Sequence, residues 1–332
     1  MEATCVRFYE FGRPEDVLVV EKRVIPPPLS GEVLVRMLHR PINPSDLIPI
    51  KGAYSHRISL PTIPGYEGVG IVEEVGASVP KELLGRRVLP LRGEGTWQEY
   101  VRTAVDWAVL VPDSILDSTA AQLYINPLTA WLSISETLTL KPFDVVVVNA
   151  CGSSIGRIFA QLCKINGIHL IAVTRDDKYN AELLELGASN VINTTVQPLY
   201  ETIMEITNGL GVTAAIDSIG GKDGTQLAFC IKPGGVLLSI GLLSGVPVDW
   251  QAISKKTNVQ VRLFHLRHWN AQVSPSLWQE AFYQLIQFIE QKNLNLMMPA
   301  HHYQLKDIKE AISTVTSSNG NMGKVFLTSQ RK

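Results

Sequence analysis

The sequence has few cysteines, and their spacing suits neither a metal site nor a disulfide framework. The four cysteines, Cys5, Cys151, Cys163 and Cys230, lie far apart, and no C-x-x-C pair occurs. Structural zinc sites and small disulfide-linked domains both need cysteines at close, repeated spacings. We therefore expect four free thiols in a reducing compartment.

The sequence also lacks a long apolar run and a cluster of one charge. Its longest uncharged stretches, Ser118–Ser135 and Pro233–Val248, contain Pro, Gly, Asn, Gln or Ser and make poor membrane spans. Glu2 follows Met1 and no apolar stretch comes after it, so we expect no secretory signal. Lys and Arg number 30 against 31 Asp and Glu, for a net charge of -1, without a basic run that could follow a phosphate backbone. We expect a cytoplasmic protein that binds neither nucleic acid nor a membrane.

What the sequence does contain is enough apolar material for about two domains. Of its 332 residues, 45% are hydrophobic and 18% charged, which excludes wholesale disorder. The first third is rich in strand signals: Glu32–His39 alternates, and Gly68–Val75 and Gln98–Leu110 carry Val-rich runs. Turn clusters separate these runs, with no regular helix between them. This pattern predicts a partly antiparallel β domain.

From about Asp117 helix and strand signals alternate. The run Asp144–Asn149, D-V-V-V-V-N, has the length and continuous hydrophobicity of a strand that is buried on both faces. The signals that follow are helix Ile155–Asn166, strand His169–Thr174, helix Ala181–Leu186, strand Asn190–Ile192, helix Leu199–Thr207, strand Ala214–Asp217, helix Asp223–Cys230 and strand Val236–Ile240. This alternation predicts a doubly wound parallel sheet. The last 65 residues return to a mixed pattern, and we expect them to complete the first domain.

The first strand of the predicted sheet leads into a glycine-containing turn. The segment Ala150-Cys151-Gly152-Ser153-Ser154-Ile155-Gly156 stands between that strand and a helix. Glycines permit a tight turn and a close approach of the backbone, and N–H groups at a helix start attract a pyrophosphate. We predict that Gly152, Ser153, Ser154 and Gly156 bind a dinucleotide. The alternative is an ordinary strand-to-helix turn, because the spacing A-x-G-x-x-x-G differs from G-x-G-x-x-G.

The end of the next strand indicates which dinucleotide is bound. An NAD-binding domain usually has Asp or Glu there, which accepts a hydrogen bond from the ribose 2′-hydroxyl. Here the strand ends in Thr174-Arg175, 23 positions after Gly152. A guanidinium pairs with a 2′-phosphate instead, and Lys178 would add a second positive charge. The two neighbouring aspartates would repel that phosphate unless they turn outward. The sequence favours NADPH, against the alternative of a solvated surface arginine.

Several segments resemble the medium-chain dehydrogenase/reductase superfamily, specifically its zinc-independent quinone oxidoreductases and 2-enoyl thioester reductases. The segments are Pro41–Asp46, Lys51–Tyr54, Gly65–Gly70, Gly95–Trp97, Ile125–Ala130, Asp217–Gly221 and Gly323–Val325, in the family's order. The resemblance implies an α/β protein with a β-rich GroES-like catalytic domain, residues 1–126 and 268–332, and a Rossmann-type dinucleotide-binding domain, residues 127–267. It also implies a homodimer joined along an edge strand of the nucleotide domain, for which the uncharged stretch Val236–Val248 is suited.

The superfamily also contains zinc alcohol dehydrogenases, which raises the question of a metal. Those enzymes carry a Cys in the region of Asn43–Asp46, a His where this chain has Tyr66, and a further Cys near Ile125–Pro127. None of these ligands is present, and a four-cysteine lobe is missing. Zinc needs three or four correctly placed ligands, and from the pattern mainly Glu67 is retained. We predict that Glu67 bonds backbone amides in a turn and that there is no metal site.

Without a metal, negative charge that develops on the substrate needs a hydrogen-bond donor. In the enoyl reductases a Tyr after the N-P-S-D segment has this role, and Tyr54 stands at the matching place. The resemblance implies that Asn43 lies near the nicotinamide and substrate, that Thr129 contacts the nicotinamide end, and that Lys324 belongs to the cofactor site. The alternative for Tyr54 is a packing or surface residue, and for Thr129 a helix-capping hydroxyl.

Together these features predict an NADPH-dependent, metal-independent oxidoreductase that transfers hydride to a quinone or to the activated C=C of an enoyl thioester. We expect its small-molecule substrate to enter between the two domains. Two other functions stay open: a zinc-type alcohol dehydrogenase, and a non-catalytic NADPH-binding relative such as a crystallin-like or redox-sensing protein.

Overall fold

The computed structural model describes residues 1–317 and 323–329. The chain divides into two compact units. Unit 1 comprises Met1–Ile125, Ser274–Glu290 and Leu296–Lys332, and unit 2 comprises Asn126–Val273 and Gln291–Asn295. Among the described residues no helix is long and apolar enough to cross a membrane.

The strands of the described residues are β1 (Glu2–Phe8), β2 (Leu18–Val24), β3 (Glu32–Pro41), β4 (Val69–Val75), β5 (Arg87–Pro90), β6 (Tyr100–Ala104), β7 (Ala108–Leu110), β8 (Val145–Val148), β9 (His169–Thr174), β10 (Asn190–Asn193), β11 (Val212–Asp217), β12 (Ile231–Ser239), β13 (Gln260–Leu263), β14 (Pro299–Tyr303) and β15 (Lys324–Thr328). Their α-helices are α1 (Pro14–Val17), α2 (Pro44–Ile50), α3 (Asp117–Ala120), α4 (Thr129–Leu132), α5 (Ser154–Ile165), α6 (Asn180–Leu186), α7 (Leu199–Ile206), α8 (Gly221–Phe229), α9 (Trp250–Lys256), α10 (Leu266–Gln272), α11 (Pro275–Glu290) and α12 (Ile308–Thr316).

Unit 1 is built on a mainly antiparallel sheet with β3 at its centre. The strand order is β14-β15-β3-β4-β5-β7, and β6 also pairs with β3, while β1 and β2 form a separate antiparallel pair. β15 runs antiparallel to β3, with Phe326 opposite Pro41. Apolar side chains of α12, such as Ile308 and Ile312, share one buried core with Val6 of β1. The last part of the chain therefore completes the sheet and the core that its first third begins.

Two details of unit 1 differ from the sequence prediction. The strand-rich first third contains a helix, α2, whose start is favoured by Pro44 at its first position and by the carboxylate of Asp46, which accepts the N–H of Asn43. The Val-rich run Gln98–Leu110 is divided between two strands, β6 and β7, by a 3₁₀ turn at Val105–Trp107, a division that the sequence pattern did not indicate.

Unit 2 confirms the predicted Rossmann-type sheet. Its six strands are all parallel and follow the order β10-β9-β8-β11-β12-β13, the doubly wound arrangement in which the chain reverses direction between β8 and β11. The central strands are apolar because helices cover both faces of such a sheet. Val147 and Ala215 are fully buried in one core with Leu227 of α8.

The edge of this sheet lies elsewhere than predicted. The segment Val236–Val248 does not supply the edge strand, because β12 pairs with β11 on one side and with β13 on the other. The edge strand beyond β12 is β13, whose sequence Q-V-R-L is short and half polar and therefore gave no strand signal, and β10 forms the opposite edge.

The two units also divide at other residues than the predicted domains. The second unit extends to Val273, so that α10 lies in unit 2 together with β13. Residues 291–295 join unit 2 as well, since Asn295 exchanges two hydrogen bonds with the Gln161 side chain, at 2.7 and 3.0 Å.

Candidate functional site

In unit 2 the turn between β8 and α5 has the form that the sequence predicts for a phosphate cradle. Ser153 is the N-cap of α5, and its hydroxyl accepts the N–H of Gly156 at 3.3 Å. A Cβ on Gly156 would lie 2.4 Å from the Cα of Cys151, so only glycine lets the helix approach the turn this closely. The N–H groups of Ser154 and Ile155, at the helix start, have no acceptor within the helix. They are the donors that an anion would bind.

A hydrogen bond between Asn149 and Asp217, to which the sequence analysis assigned no role, joins the carboxyl ends of β8 and β11, where the strand order reverses. Asn149 directly follows β8 and donates to Oδ1 of Asp217, the last residue of β11, at 2.6 Å. The Asn149 Oδ1 accepts the N–H of Ser218 at 2.8 Å. These bonds fix the carboxyl ends of β8 and β11, where ligands of doubly wound sheets bind.

At the end of β9 the two predicted cations have different surroundings. Lys178 lies 3.2 Å from the carboxylate of Asp176, and hydrogen bonds to Tyr179 and Asp176 raise its pKa. Asp176 also accepts the N–H of Lys178, which lowers the pKa of Asp176. Arg175 is exposed and has no hydrogen bond or ion pair with any residue that the structure describes. Of the two predicted cations, Arg175 is therefore the one without a paired carboxylate among the described residues.

An arginine–tyrosine contact, which sequence reasoning missed, connects this segment to the glycine turn. The ring of Tyr179 packs directly against Gly152, where an added Cβ would lie 2.6 Å from the ring. The Arg157 guanidinium lies 4.9 Å from the ring centroid, donates to the carbonyl of Gly152 and pairs with Glu182 at 2.7 Å. Tyr179 and Arg157 thus connect the glycine turn to the segment that follows β9 and carries the predicted phosphate ligands Arg175 and Lys178.

Thr129 begins α4 but does not cap it. Its hydroxyl makes no capping bond, and the N-cap position belongs to Leu128, so the capping alternative is wrong. Three residues earlier, Asn126 donates to the Ser154 hydroxyl at 3.3 Å, which places the start of this helical segment at the glycine turn. The predicted contact of Thr129 with a cofactor stays a prediction.

Unit 1 contains a second cluster, formed by four buried polar side chains. Asn43, Asp46, Glu67 and Lys324 are each at most 7% exposed. Glu67 accepts hydrogen bonds from the Asn43 amide at 2.7 Å and from the backbone N–H groups of Tyr124 and Ile125 at 3.1 and 2.7 Å. The prediction that Glu67 bonds backbone amides is therefore confirmed.

Lys324 supplies the cation of this cluster. Its ammonium donates to Oδ1 of Asn43, 281 positions earlier in the chain. Burial raises the pKa of Glu67, raises that of Asp46 to about 7, and lowers that of Lys324. The ammonium lowers the pKa of both carboxyls, and the carboxyls raise the pKa of Lys324, so that these charges offset part of the effect of burial. Lys324 and Asn43 thus contact each other in unit 1, whereas the other predicted cofactor residues lie in unit 2. The roles predicted for Asn43 and Lys324 toward substrate and cofactor stay predictions.

Tyr54 lies on a short turn that follows α2. It precedes a 3₁₀ turn, Ser55–Arg57, and its side chain is half-buried. The Arg57 guanidinium lies 3.8 Å from the centroid of the Tyr54 ring, a cation–π contact that holds the ring against the turn. The predicted donor role of Tyr54 is compatible with this position and stays a prediction.

The chain matches two family models. An alcohol dehydrogenase GroES-like domain matches residues 29–113, and a zinc-binding dehydrogenase matches residues 154–291.

Relatives and solved structures match along nearly the full length. The mitochondrial enoyl-[acyl-carrier-protein] reductase of Dictyostelium discoideum is 30% identical over 310 residues, which cover 90% of this chain and 87% of that protein. A Bacillus thuringiensis crystal structure, provisionally assigned as an NADPH:quinone reductase, shares 59% identity with a TM-score of 0.98 and covers 99% of this chain and 100% of that one. Escherichia coli quinone oxidoreductase, crystallised with NADPH, shares 26% identity with a TM-score of 0.89, over 98% of this chain and 100% of that one.

These matches define an oxidoreductase with a GroES-like part and a dinucleotide-binding part. The chain belongs to the medium-chain dehydrogenase/reductase superfamily. Its resemblance to both the quinone oxidoreductases and the enoyl reductases of that superfamily is thereby confirmed.

Zinc, which the description of one family model implies, does not fit the residues present. Among the described residues no three His, Cys, Asp or Glu side chains are grouped to hold a metal ion. Both oxygens of Glu67 already accept hydrogen bonds, and the cation beside it is the Lys324 ammonium, with Asn43 between them. Tyr66 offers a neutral phenol, which is not among the usual zinc ligands.

Proposed function

We propose that this protein is an NADPH-dependent, metal-independent reductase of a quinone or of the activated C=C of an enoyl thioester. The observation that carries the proposal is the buried cluster of Asn43, Asp46, Glu67 and Lys324. It occupies the region where the zinc enzymes of the superfamily have metal ligands, and it is internally hydrogen-bonded. Negative charge on a substrate oxygen must therefore be met by a hydrogen-bond donor.

The residues of unit 2 fit NADPH. The start of α5 offers backbone N–H groups to a pyrophosphate, and Arg175, unpaired among the described residues, offers a guanidinium to a 2′-phosphate. The E. coli relative whose structure contains NADPH supports the same cofactor. When bound, NADPH supplies the hydride, and the protein's part is to bind, orient and stabilise charge.

The residue that we assign to the substrate oxygen is Tyr54. Hydride addition to the β-carbon of an enoyl thioester moves an electron pair onto the carbonyl oxygen, and the α-carbon must then gain a proton. The Tyr54 hydroxyl donates a hydrogen bond to that oxygen, and its proton passes to the α-carbon, after which water reprotonates the phenol. Arg57 keeps the ring in place meanwhile.

The non-catalytic alternative has a weaker basis in the structure. A redox sensor needs an accessible thiolate, whereas all four cysteines are buried and free. Burial raises the pKa of Cys151 and of Cys230 to about 12, so neither is a reactive thiolate.

Steady-state turnover with a panel of acceptors tests the proposed function. We expect NADPH oxidation with a quinone or an enoyl thioester, little activity with NADH, and no loss after prolonged treatment with a chelator. NADPH binding without turnover on any acceptor would support the non-catalytic alternative. Stoichiometric zinc together with chelator-sensitive turnover would instead support the alcohol dehydrogenase alternative.

We also propose that the chain forms a cytoplasmic homodimer. Four free cysteines suit a reducing compartment. The edge strand β13 has one paired side, and its Leu263 is 67% exposed, as a strand that pairs with a second copy would require.

A further inference from the structure

The turn that carries Glu67 has an unusually well-fixed backbone. Thr96 and Trp97 donate their N–H groups to the carbonyls of Gly65 and Pro64, each at 3.0 Å, and the Thr96 hydroxyl donates to the Glu67 carbonyl at 2.9 Å. Gly65 has a φ of +95°, and a Cβ there would lie 2.3 Å from the Trp97 ring. These contacts constrain the backbone of the turn and thereby the positions from which its side chains project.

Tyr66 is the residue of this turn that points away from the buried cluster. Its N–H donates to Oδ1 of Asp46 at 3.1 Å, which ties its backbone to the start of α2. Its side chain is nevertheless 43% exposed, while the neighbouring Glu67 is 2% exposed. A large aromatic side chain on a rigid, otherwise buried turn is prearranged for contact with something outside the turn.

The surroundings of Tyr66 are those of the candidate site. The hydrogen bond from the Tyr66 N–H to Asp46 places this turn beside α2, the helix that Tyr54 follows. Desolvation and the Asp46 carboxyl raise the pKa of Tyr66 to about 12. Its phenol is therefore protonated, and hence a hydrogen-bond donor, at any pH at which the protein works.

We propose that Tyr66 is a second catalytic residue, whose hydroxyl donates a hydrogen bond to the substrate carbonyl oxygen beside that of Tyr54. The proposal rests on the proposed function. As hydride from NADPH forms the new C–H bond at the β-carbon, the C=C π pair moves and the carbonyl oxygen becomes negative. Tyr66 stabilises that oxygen without giving up its proton. The proton for the α-carbon comes from Tyr54, which water reprotonates, and the products are the saturated thioester and NADP⁺.

The test compares Tyr66→Phe with the wild type and with a matched control, Tyr283→Phe. Tyr283 also belongs to unit 1 and is 62% exposed, and its hydroxyl has no hydrogen-bond partner among the described residues. For an enoyl thioester we expect kcat of Tyr66→Phe to fall roughly ten- to a hundredfold, the size of one hydrogen bond to a charged oxygen, with KM nearly unchanged. The kinetic isotope effect of NADPH deuterated at C4 should increase, since hydride transfer becomes slower relative to product release.

A merely structural role of Tyr66 predicts other results. It would lower the thermal midpoint and weaken NADPH binding or raise KM, whereas we expect all three to match the control. In a Tyr54→Phe background, adding Tyr66→Phe should lower kcat further, because the oxygen then has neither phenol.

The outcomes separate this inference from the proposed function. If the wild type reduces enoyl thioesters and Tyr66→Phe has wild-type kcat and isotope effect in both backgrounds, Tyr66 is not catalytic and the proposed function stands. If the wild type reduces none of the acceptors, both are wrong. A loss of kcat in Tyr283→Phe as large as that in Tyr66→Phe would also overturn the assignment.

Discussion

Replacing Lys324 by methionine tests the buried cluster most directly. The substitution keeps the length of the side chain but removes the ammonium that donates to Asn43. Asp46 and Glu67 are then two buried carboxyls without this cation. Removing one partner of a direct buried ion pair costs about 3–5 kcal/mol, and this is an upper bound here because Lys324 donates to the Asn43 amide rather than to a carboxylate. We therefore expect Lys324→Met to lower the free energy of unfolding at pH 8 by up to that amount, measured by urea denaturation.

The penalty should depend on pH in a defined direction. The folded pKa of Asp46, about 7, lies above the ordinary value, so the stability that this group contributes is lost as pH rises through 7. When the pH is lowered from 8 to 6, the free energy of unfolding of the wild type rises only below about pH 7, by about 1.4 kcal/mol per pH unit. Without the Lys324 ammonium the pKa of the Asp46 carboxyl is higher still, so the free energy of unfolding of the variant rises over the whole range from pH 8 to pH 6. The penalty of Lys324→Met should therefore be about 1 kcal/mol smaller at pH 6.

A second substitution should rescue the first. In Lys324→Met the Asn43 amide is free to rotate by 180°, because no ammonium holds its oxygen. Glu67→Gln then removes the uncompensated charge, and the new amide donates to Asn43 while its oxygen accepts the N–H of Ile125. Hydrogen exchange of the Tyr124 and Ile125 amides should return toward that of the wild type. A penalty below about 1 kcal/mol that is equal at both pH values, without rescue, would refute the charged cluster.

Three further predictions follow from the other sites. Arg175→Ala should weaken NADPH binding roughly ten- to a hundredfold and leave the affinity for NADH unchanged. The control Lys178→Ala, which removes a lysine already paired with Asp176, should have less effect. Equal affinity of the wild type for NADPH and NADH would contradict this assignment. Tyr54→Phe should lower kcat for an enoyl thioester roughly a hundred- to a thousandfold and that for a quinone about tenfold or less; if neither acceptor responds, Tyr54 is structural. Leu263→Arg should convert the proposed dimer into monomers in light scattering, and a wild-type monomer would show the dimer proposal to be wrong.

The sequence predicts the parts of the fold that local patterns determine. The parallel sheet is readable because β8, β9 and β11 are apolar runs between amphipathic helices, and the start of α5 is readable from its Ser and Gly residues. β13 was not predicted, because an edge strand needs little hydrophobicity and its sequence therefore lacks an apolar run.

The buried cluster was harder to predict from the sequence, because its key contact is not local. Lys324 and Asn43 are 281 positions apart, and neither residue type by itself indicates burial. Tyr66 was noted only as a missing metal ligand, since a phenol on a rigid turn becomes recognisable once the hydrogen bonds of Gly65 and Thr96 are known.

The discontinuous composition of unit 1 affects how the protein is made. All strands of unit 2 precede Ser274, whereas β3 lies beside β15, which is the last strand synthesised in the described part of the chain. At about 5–20 residues per second, a ribosome needs roughly 10–40 s to proceed from Ile125 to Lys324. During that time the nascent chain presents the end of β3, His39–Pro41, with the side that β15 later covers still unpaired, together with carboxylates that have no ammonium partner. Because an open strand edge is a template for pairing with another chain, slow or truncated synthesis should lead to aggregation through the N-terminal segment, while the nucleotide-binding part is already folded.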